Sequence, residues 1–326
     1  MDYARLGRSG LQVSRICVGC MSFGDPTLER KWVLPEPDAR PLLKTAWEAG
    51  INFYDTANVY SGGTSEEITG KILKELSPNR DEYVLATKVH GVMRQGPNGG
   101  GQSRKAIMWQ IDESLRRLKL DYVDLYQIHR YDASVPMEES LEALHDVVKA
   151  GKARYIGASS MYAWQFMKML AMQRANGWTE FVSMQDHLNL LYREEEREML
   201  PLCVSEGIGV IPWSPLARGR LTRPWGTDTK RSDTDEFGKT LYDGSEEADK
   251  AIVGAVNDIA TKRGVPAAQV GLAWILQKAP VVAPIVGATK VSHLTDAVGA
   301  VGLELTTEEI AALEGPYRPR ANAGFR

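Results

Sequence analysis

The chain has 326 residues, 43% hydrophobic and 25% charged, with a formal net charge of −3. That is enough ordinary globular sequence to bury a core without disulfides or metals. It carries no basic field for nucleic acid or a membrane surface, and no apolar run near the roughly 18 residues of a membrane span. The opening MDYARLGRSG lacks the apolar core of a signal peptide, so a cytoplasmic location is expected.

In chain order, residues 3–15 (YARLGRSGLQVSR) predict a β-hairpin turning at Arg8-Ser9-Gly10, suited to plugging the bottom of a barrel. SRICVG (14–19) is the first strand candidate. Its Cys17 and Cys20, three apart, point to opposite faces and read as buried small hydrophobes. With Cys203 they make an odd number, which argues against a disulfide framework. PDARPLLKTAWEAG predicts a helix with Leu42, Leu43, Ala46 and Trp47 as its apolar stripe and Gly50 as its stop.

Strands follow at NFYDTA (52–57), YVLATKV (83–89) and VDLYQIH (123–129). Between the last two, GPNGGGQS (96–103) lacks the G-K-[ST] of a nucleotide loop and is expected to border a substrate entrance. Helices are predicted at SRKAIMWQIDESLRRLKL and at SVPMEESLEALHDVVKAGK, the latter with Pro136 in its first turn and Gly151 as C-cap. Further strands are RYIGASS (154–160), FVSMQD (181–186), GVIPWS (209–214) and VAPIVGA (282–288). REEEREM (193–199) reads as a solvated helix face. The polar stretch 220–249, after the seventh strand, is expected to be a lid.

Eight strands alternating with helices are the rhythm of a (β/α)8 TIM barrel, here as one domain over 1–326. The rival doubly wound sheet usually carries G-x-G-x-x-G after its first strand, and that motif is absent.

Barrel enzymes place their chemistry at the C-terminal ends of strands. Asp55, Lys88 and His129 close the second, third and fourth strands, and Tyr60 lies just beyond the second. A free tyrosine, with a pKa of about 10, is a poor proton donor near neutrality, and a nearby ammonium favours its phenolate form. An aspartate beside that lysine keeps it charged and aimed. A histidine on the next strand orients a carbonyl oxygen, which makes the tyrosine a general acid. After the eighth strand, a helix N-terminus with Gly287, Thr289 and Lys290 is an anion site. Trp32, Met93 and Tyr131 lie beyond strand ends and are expected in a substrate pocket. His187 is expected in the pocket or in a supporting network.

The segments FYDTANVYSGGTSEEITG, ATKV, YVDLYQIHR, GKARYIGASS, MQDHLNLLYREEEREMLPLC and VIPWSPLARGRL together resemble the aldo-keto reductases, over about residues 1 to 320. The resemblance is strongest to the bacterial YajO-type subgroup, with potassium-channel β subunits more distant. It implies a carbonyl reductase using NAD(P)H, with the tetrad on Asp55, Tyr60, Lys88 and His129. The resemblance also implies that Ser159, Ser160 and Gln185 hold the nicotinamide carboxamide and that the ring stacks on Trp213. Ser214, Pro215, Leu216 and Arg220 belong to a loop suited to gripping the pyrophosphate.

Lys290 would neutralise an adenosine 2′-phosphate, which favours NADPH over NADH. His293 stands where Gln or Arg is usual in the family, and Asp296-Ala297 replaces Glu-Asn. The expected partner is a small-molecule carbonyl, with no nucleic acid, no membrane and no metal. Two alternatives stand beside it: a cofactor-binding regulatory subunit, and sugar-phosphate rearrangement like the 1-deoxyxylulose-5-phosphate synthase activity ascribed to some relatives. An anion site in the substrate pocket would be the signature of the second.

Overall fold

The computed structural model describes residues 1–28, 31–227, 236–242 and 246–325. An antiparallel hairpin, β1 (Tyr3–Arg5) and β2 (Gln12–Ser14), precedes eight parallel strands. These are β3 (Cys17–Gly19), β4 (Phe53–Asp55), β5 (Val84–Val89), β6 (Val123–Ile128), β7 (Ala153–Ser159), β8 (Phe181–Gln185), β9 (Gly209–Val210) and β10 (Ile285–Gly287). Their order is β10-β3-β4-β5-β6-β7-β8-β9, and bridges from Val210 to Val281 and from Trp213 to Ile285 join the two edges. The result is the expected (β/α)8 fold.

Strands β9 and β10 are shorter than their apolar runs because Pro212 and Pro284 have no N–H to donate to a ladder. The chain stays paired around them. Ile211 N donates to Met184 O at 2.9 Å, Trp213 N to Asp186 O at 2.8 Å, and Ile285 N to Pro212 O at 2.8 Å.

Outside the strands lie α1 (Glu36–Glu48), α2 (Thr64–Leu76), α3 (Arg104–Leu118), α4 (Met137–Lys149), α5 (Ala163–Ala175) and α6 (Met199–Glu206). They are followed by α7 (Glu236–Leu241), α8 (Glu246–Arg263), α9 (Ala267–Leu276), α10 (Val291–Gly299) and α11 (Thr307–Glu314). Pro136 is the N-cap of α4, one position before the first turn, and Gly151 follows the helix at a φ of +75°.

The strands alternate as period two demands. Cys17, Phe53, Val84, Ala86 and Leu125 share the inner cluster with Leu6 and Val13 of the hairpin, which therefore plugs the barrel floor. Gly7 makes that plug possible. It has a φ of +59°, and a Cβ there would sit 2.6 Å from Gly207 O and from Gly209 N. Cys20 and Tyr54 face the outer cluster, so Cys17 and Cys20 do point opposite ways, both reduced and buried.

One expectation is corrected. REEEREM is not a solvated helix face, because Glu194–Glu196 is a 3-10 turn with Glu194 and Glu195 buried. The C-terminal segment covers it. Tyr317 OH and Arg320 N both donate to Glu194 Oε1, at 2.7 and 2.9 Å. The expected lid falls partly on 228–235 and 243–245, outside the described residues. Within it, Leu241 and Tyr242 are buried. No helix among the described residues is long and apolar enough to cross a membrane.

Candidate active site

Parity aims three polar side chains into the upper barrel. Asp55 shares its face with Phe53, Lys88 with Val84 and Ala86, and Gln127 with Leu125. Lys88 is wholly buried and Asp55 is 2% exposed. Lys88 Nζ donates to Asp55 Oδ1, to Thr56 O at 2.9 Å and to Tyr60 OH at 3.3 Å. Gln127 Nε2 and Gln185 Nε2 both donate to Asp55 Oδ2, at 2.9 and 3.0 Å. Burial opposes the Lys88 charge, but Asp55 and Tyr60 outweigh it and hold the ammonium above its ordinary range. Gln127 was not anticipated from the sequence.

The turn carrying Tyr60 is tightly held. Ser61 has a φ of +47° and sits so close to Gly24 that a Cβ there would fall 2.3 Å from Ser61 Oγ. The rings of Tyr60 and His129 meet edge to face, with centroids 5.7 Å apart. Both open into a cavity of about 1020 Å³.

Its wall continues from Trp32, His90 and Arg130 through Trp213, Ser214, Pro215 and Leu216 to Arg218, Gly219, Thr222 and Arg223. It ends at Gly287, Thr289, Lys290, His293 and Asp296. Ser214, Ala217 and Arg218 hold φ of +53°, +47° and +56°, the kind of strained backbone that clusters around ligand clamps. That turn sends Arg218 and Arg223 to the cavity. Arg220 instead lies 5.1 Å from the ring of Tyr242 and 5.9 Å from that of Trp225.

Ser159 and Ser160 stand behind the wall. Ser159 Oγ donates to Gln185 O at 2.8 Å, and Ser160 Oγ accepts from Trp213 Nε1 at 3.0 Å. Gln185 itself lines the cavity, and so do Lys290 at the N-cap of α10 and His293, whose Nδ1 accepts from Thr289 N at 3.3 Å. Of the three pocket expectations, Trp32 lines the cavity and Met93 and Tyr131 do not. Nor do the residues of the glycine-rich loop 96–103, tied back by Gln102 to Arg130 O.

His187 is a network residue. It stacks between Trp213 and Tyr192, with centroids 4.1 and 4.2 Å away, and its Nε2 meets Tyr242 OH at 2.9 Å. Burial, then Arg218, Arg130 and Arg320, hold its imidazole neutral, well below the usual range. One face of Trp213 is thus braced while the residue lines the cavity.

Over residues 15–317 the sequence matches the model of the Aldo/keto reductase family. The chain belongs to that family, one of oxidoreductases. Similar proteins include the versiconal hemiacetal acetate reductase of Aspergillus parasiticus, 46% identical over 98% of both chains. Aldo-keto reductase AMT2 of Alternaria alternata is 43% identical over 99% of this chain and 93% of its own. Aldo-keto reductase dtxS3 of Metarhizium robertsii is 41% identical over the same shares. All three are fungal, and they give no support to the bacterial subgroup expected from the sequence.

Behind the site, this family member buries two acids together. Neither carboxylate oxygen of Asp186 has a hydrogen-bond partner among the described residues, and Glu195 is close by. Burial raises the Asp186 carboxyl, and burial plus the charges of Asp186 and Glu194 raises Glu195 to about 9. The native state therefore binds more protons than the unfolded chain from about pH 4 upward, so the pair costs stability progressively as pH rises towards 9. Glu195→Gln is expected to raise the Tm at pH 8–9 and to change it little at pH 5. A Tm difference independent of pH over that range contradicts this assignment.

Proposed function

We propose that this protein reduces aldehydes or ketones to alcohols with NADPH, and that Tyr60 is the general acid. The observation that carries the reading is the buried relay from Asp55 through Lys88 to the Tyr60 hydroxyl, which faces a cavity beside His129. Asp55 holds the Lys88 ammonium in place, and Lys88 favours the phenolate left after Tyr60 gives up its proton. His129 would donate to the same carbonyl oxygen.

The cavity suits a dinucleotide in size and in donors. It offers an aromatic face at Trp213, the strained backbone of 214–219 with Arg218 and Arg223, and the N-terminus of α10 with Lys290. When bound, the nicotinamide supplies the hydride. Thr289, Lys290 and His293 would hold the adenosine 2′-phosphate.

The test follows NADPH and NADH oxidation with a broad panel of aldehydes and ketones. Cofactor binding without oxidation on any of them refutes the reading. Lys290→Ala is expected to raise the KM for NADPH about 10- to 100-fold, the worth of one charge-assisted contact, with a much smaller change for NADH. Equal effects on the two cofactors refute the 2′-phosphate assignment.

A further inference from the structure

Arg130 follows His129 off the end of β6, and its half-buried side chain lines the cavity beside Tyr60, His129 and Trp213. Its Nε donates to Gly324 O at 2.9 Å and its Nη1 to His129 O at 2.6 Å, and its guanidinium carbon lies 5.7 Å from the centroid of Trp213. Two of the five guanidinium donors are spent on neutral carbonyls, which leaves three. Among the described residues no carboxylate forms an ion pair with Arg130.

Three other arginines removed from water are compensated by carboxylates, whereas Arg15, like Arg130, donates to a carbonyl, Leu276 O. Arg117 meets Glu66 at 2.7 Å, Arg320 meets Asp249 at 2.5 Å, and Arg80 meets Asp124 at 2.5 Å. Asp55, which lines the same cavity, is committed to Lys88, Gln127 and Gln185. A desolvated charge is costly unless it is paired. Burial weakens the Arg130 charge and Tyr60 supports it; burial also lowers the His90 imidazole, with Asp132 opposing that shift and Arg130 adding to it. Arg130 thus presents a guanidinium with three donors to spare in the cavity wall beside Tyr60 and His129.

We propose that Arg130 determines specificity by binding an anionic group on the carbonyl substrate, so that the preferred substrates carry a carboxylate or a phosphate. This rests on the reading of the site as a carbonyl reductase. The shared chemistry is an oxyanion with two or more acceptors, reached by Nη1 and Nη2 across the mouth while the carbonyl oxygen lies between Tyr60 and His129.

The experiment measures kcat/KM with NADPH for two matched pairs: 4-formylbenzoate against its methyl ester, and glyceraldehyde 3-phosphate against glyceraldehyde. The wild type is expected to favour the anionic member of at least one pair, and the responding pair separates carboxylate from phosphate. Arg130→Gln is expected to lower the anionic-to-neutral ratio of that pair about 10- to 100-fold, mainly through KM, with Arg130→Lys recovering much of it. Competition of benzoate or inorganic phosphate against the neutral aldehyde in the wild type reads the same site without a variant, and competitive inhibition by one of them is expected.

Reduction of the neutral members with an unchanged ratio and no competitive inhibition overturns the Arg130 assignment alone. So does a loss that follows NADPH affinity instead of the charge of the substrate. No reduction of any of the four compounds overturns the reductase reading and this assignment together.

Discussion

Tyr60→Phe is expected to lower kcat for carbonyl reduction about 10²- to 10⁴-fold, the usual contribution of a positioned general acid, with little change in NADPH affinity or Tm. The substitution deletes one hydroxyl. Lys88 keeps Asp55 and Thr56 O, so no buried charge is stranded, and the edge-to-face contact with His129 survives in a phenylalanine. The loss therefore falls on the proton transfer itself.

Lys88 sets the pH window for that role. A lysine whose folded pKa is raised keeps its ammonium below its ordinary value of about 10.4 and loses it only as pH rises through the raised value. The relay thus stays charged throughout the neutral range. A Tyr60→Phe variant within tenfold of the wild-type kcat on a substrate whose chemistry is rate-limiting would remove Tyr60 from the mechanism.

How much of this was legible in the sequence follows from how each signal arises. The strands announced themselves because a parallel barrel strand is buried on both faces and reads as an unbroken apolar run. Asp55, Lys88 and His129 were legible because an ionisable residue ending such a run has no bland place to go. Gln127 carried the same signal, since it shares parity with Leu125 and His129, but an uncharged amide in mid-strand is easily passed over.

Glu194 and Glu195 were misread because a charge run looks solvated until its cover is known. That cover, Tyr317 and Arg320, comes from more than a hundred residues away. Arg220 and Arg218 could not be sorted by composition either. Which of them faces the cavity depends on the left-handed turn at Arg218 and Gly219, a backbone choice that a non-glycine residue at 218 does not advertise.

The largest stability effect is expected away from the chemistry, at Arg117→Met. Glu66 at the start of α2 is wholly buried; its Oε2 accepts from Arg117 Nε at 2.7 Å and its Oε1 from Thr87 Oγ1 at 2.6 Å. Removing the arginine leaves that carboxylate buried with one hydroxyl for company, a loss of about 3–5 kcal/mol against a typical total of 5–15.

The same arginine underlies the Tyr60 turn. A Cβ on Gly63 would meet Arg117 Cδ at 2.6 Å, so the guanidinium arm packs directly against Gly63, the last residue of the turn that starts at Tyr60. Arg117→Met should therefore show a lower denaturant midpoint and also a lower kcat in whatever fraction stays folded, because the Tyr60 hydroxyl loses its fixed approach to Lys88. The double variant Glu66→Leu, Arg117→Met removes both charges. It should recover most of the stability, since a buried pair replaced by apolar groups is often neutral. If the double variant is as unstable as the single one, the packing volume of Arg117 matters there and not its charge, and the pairing with Glu66 is not what holds the turn.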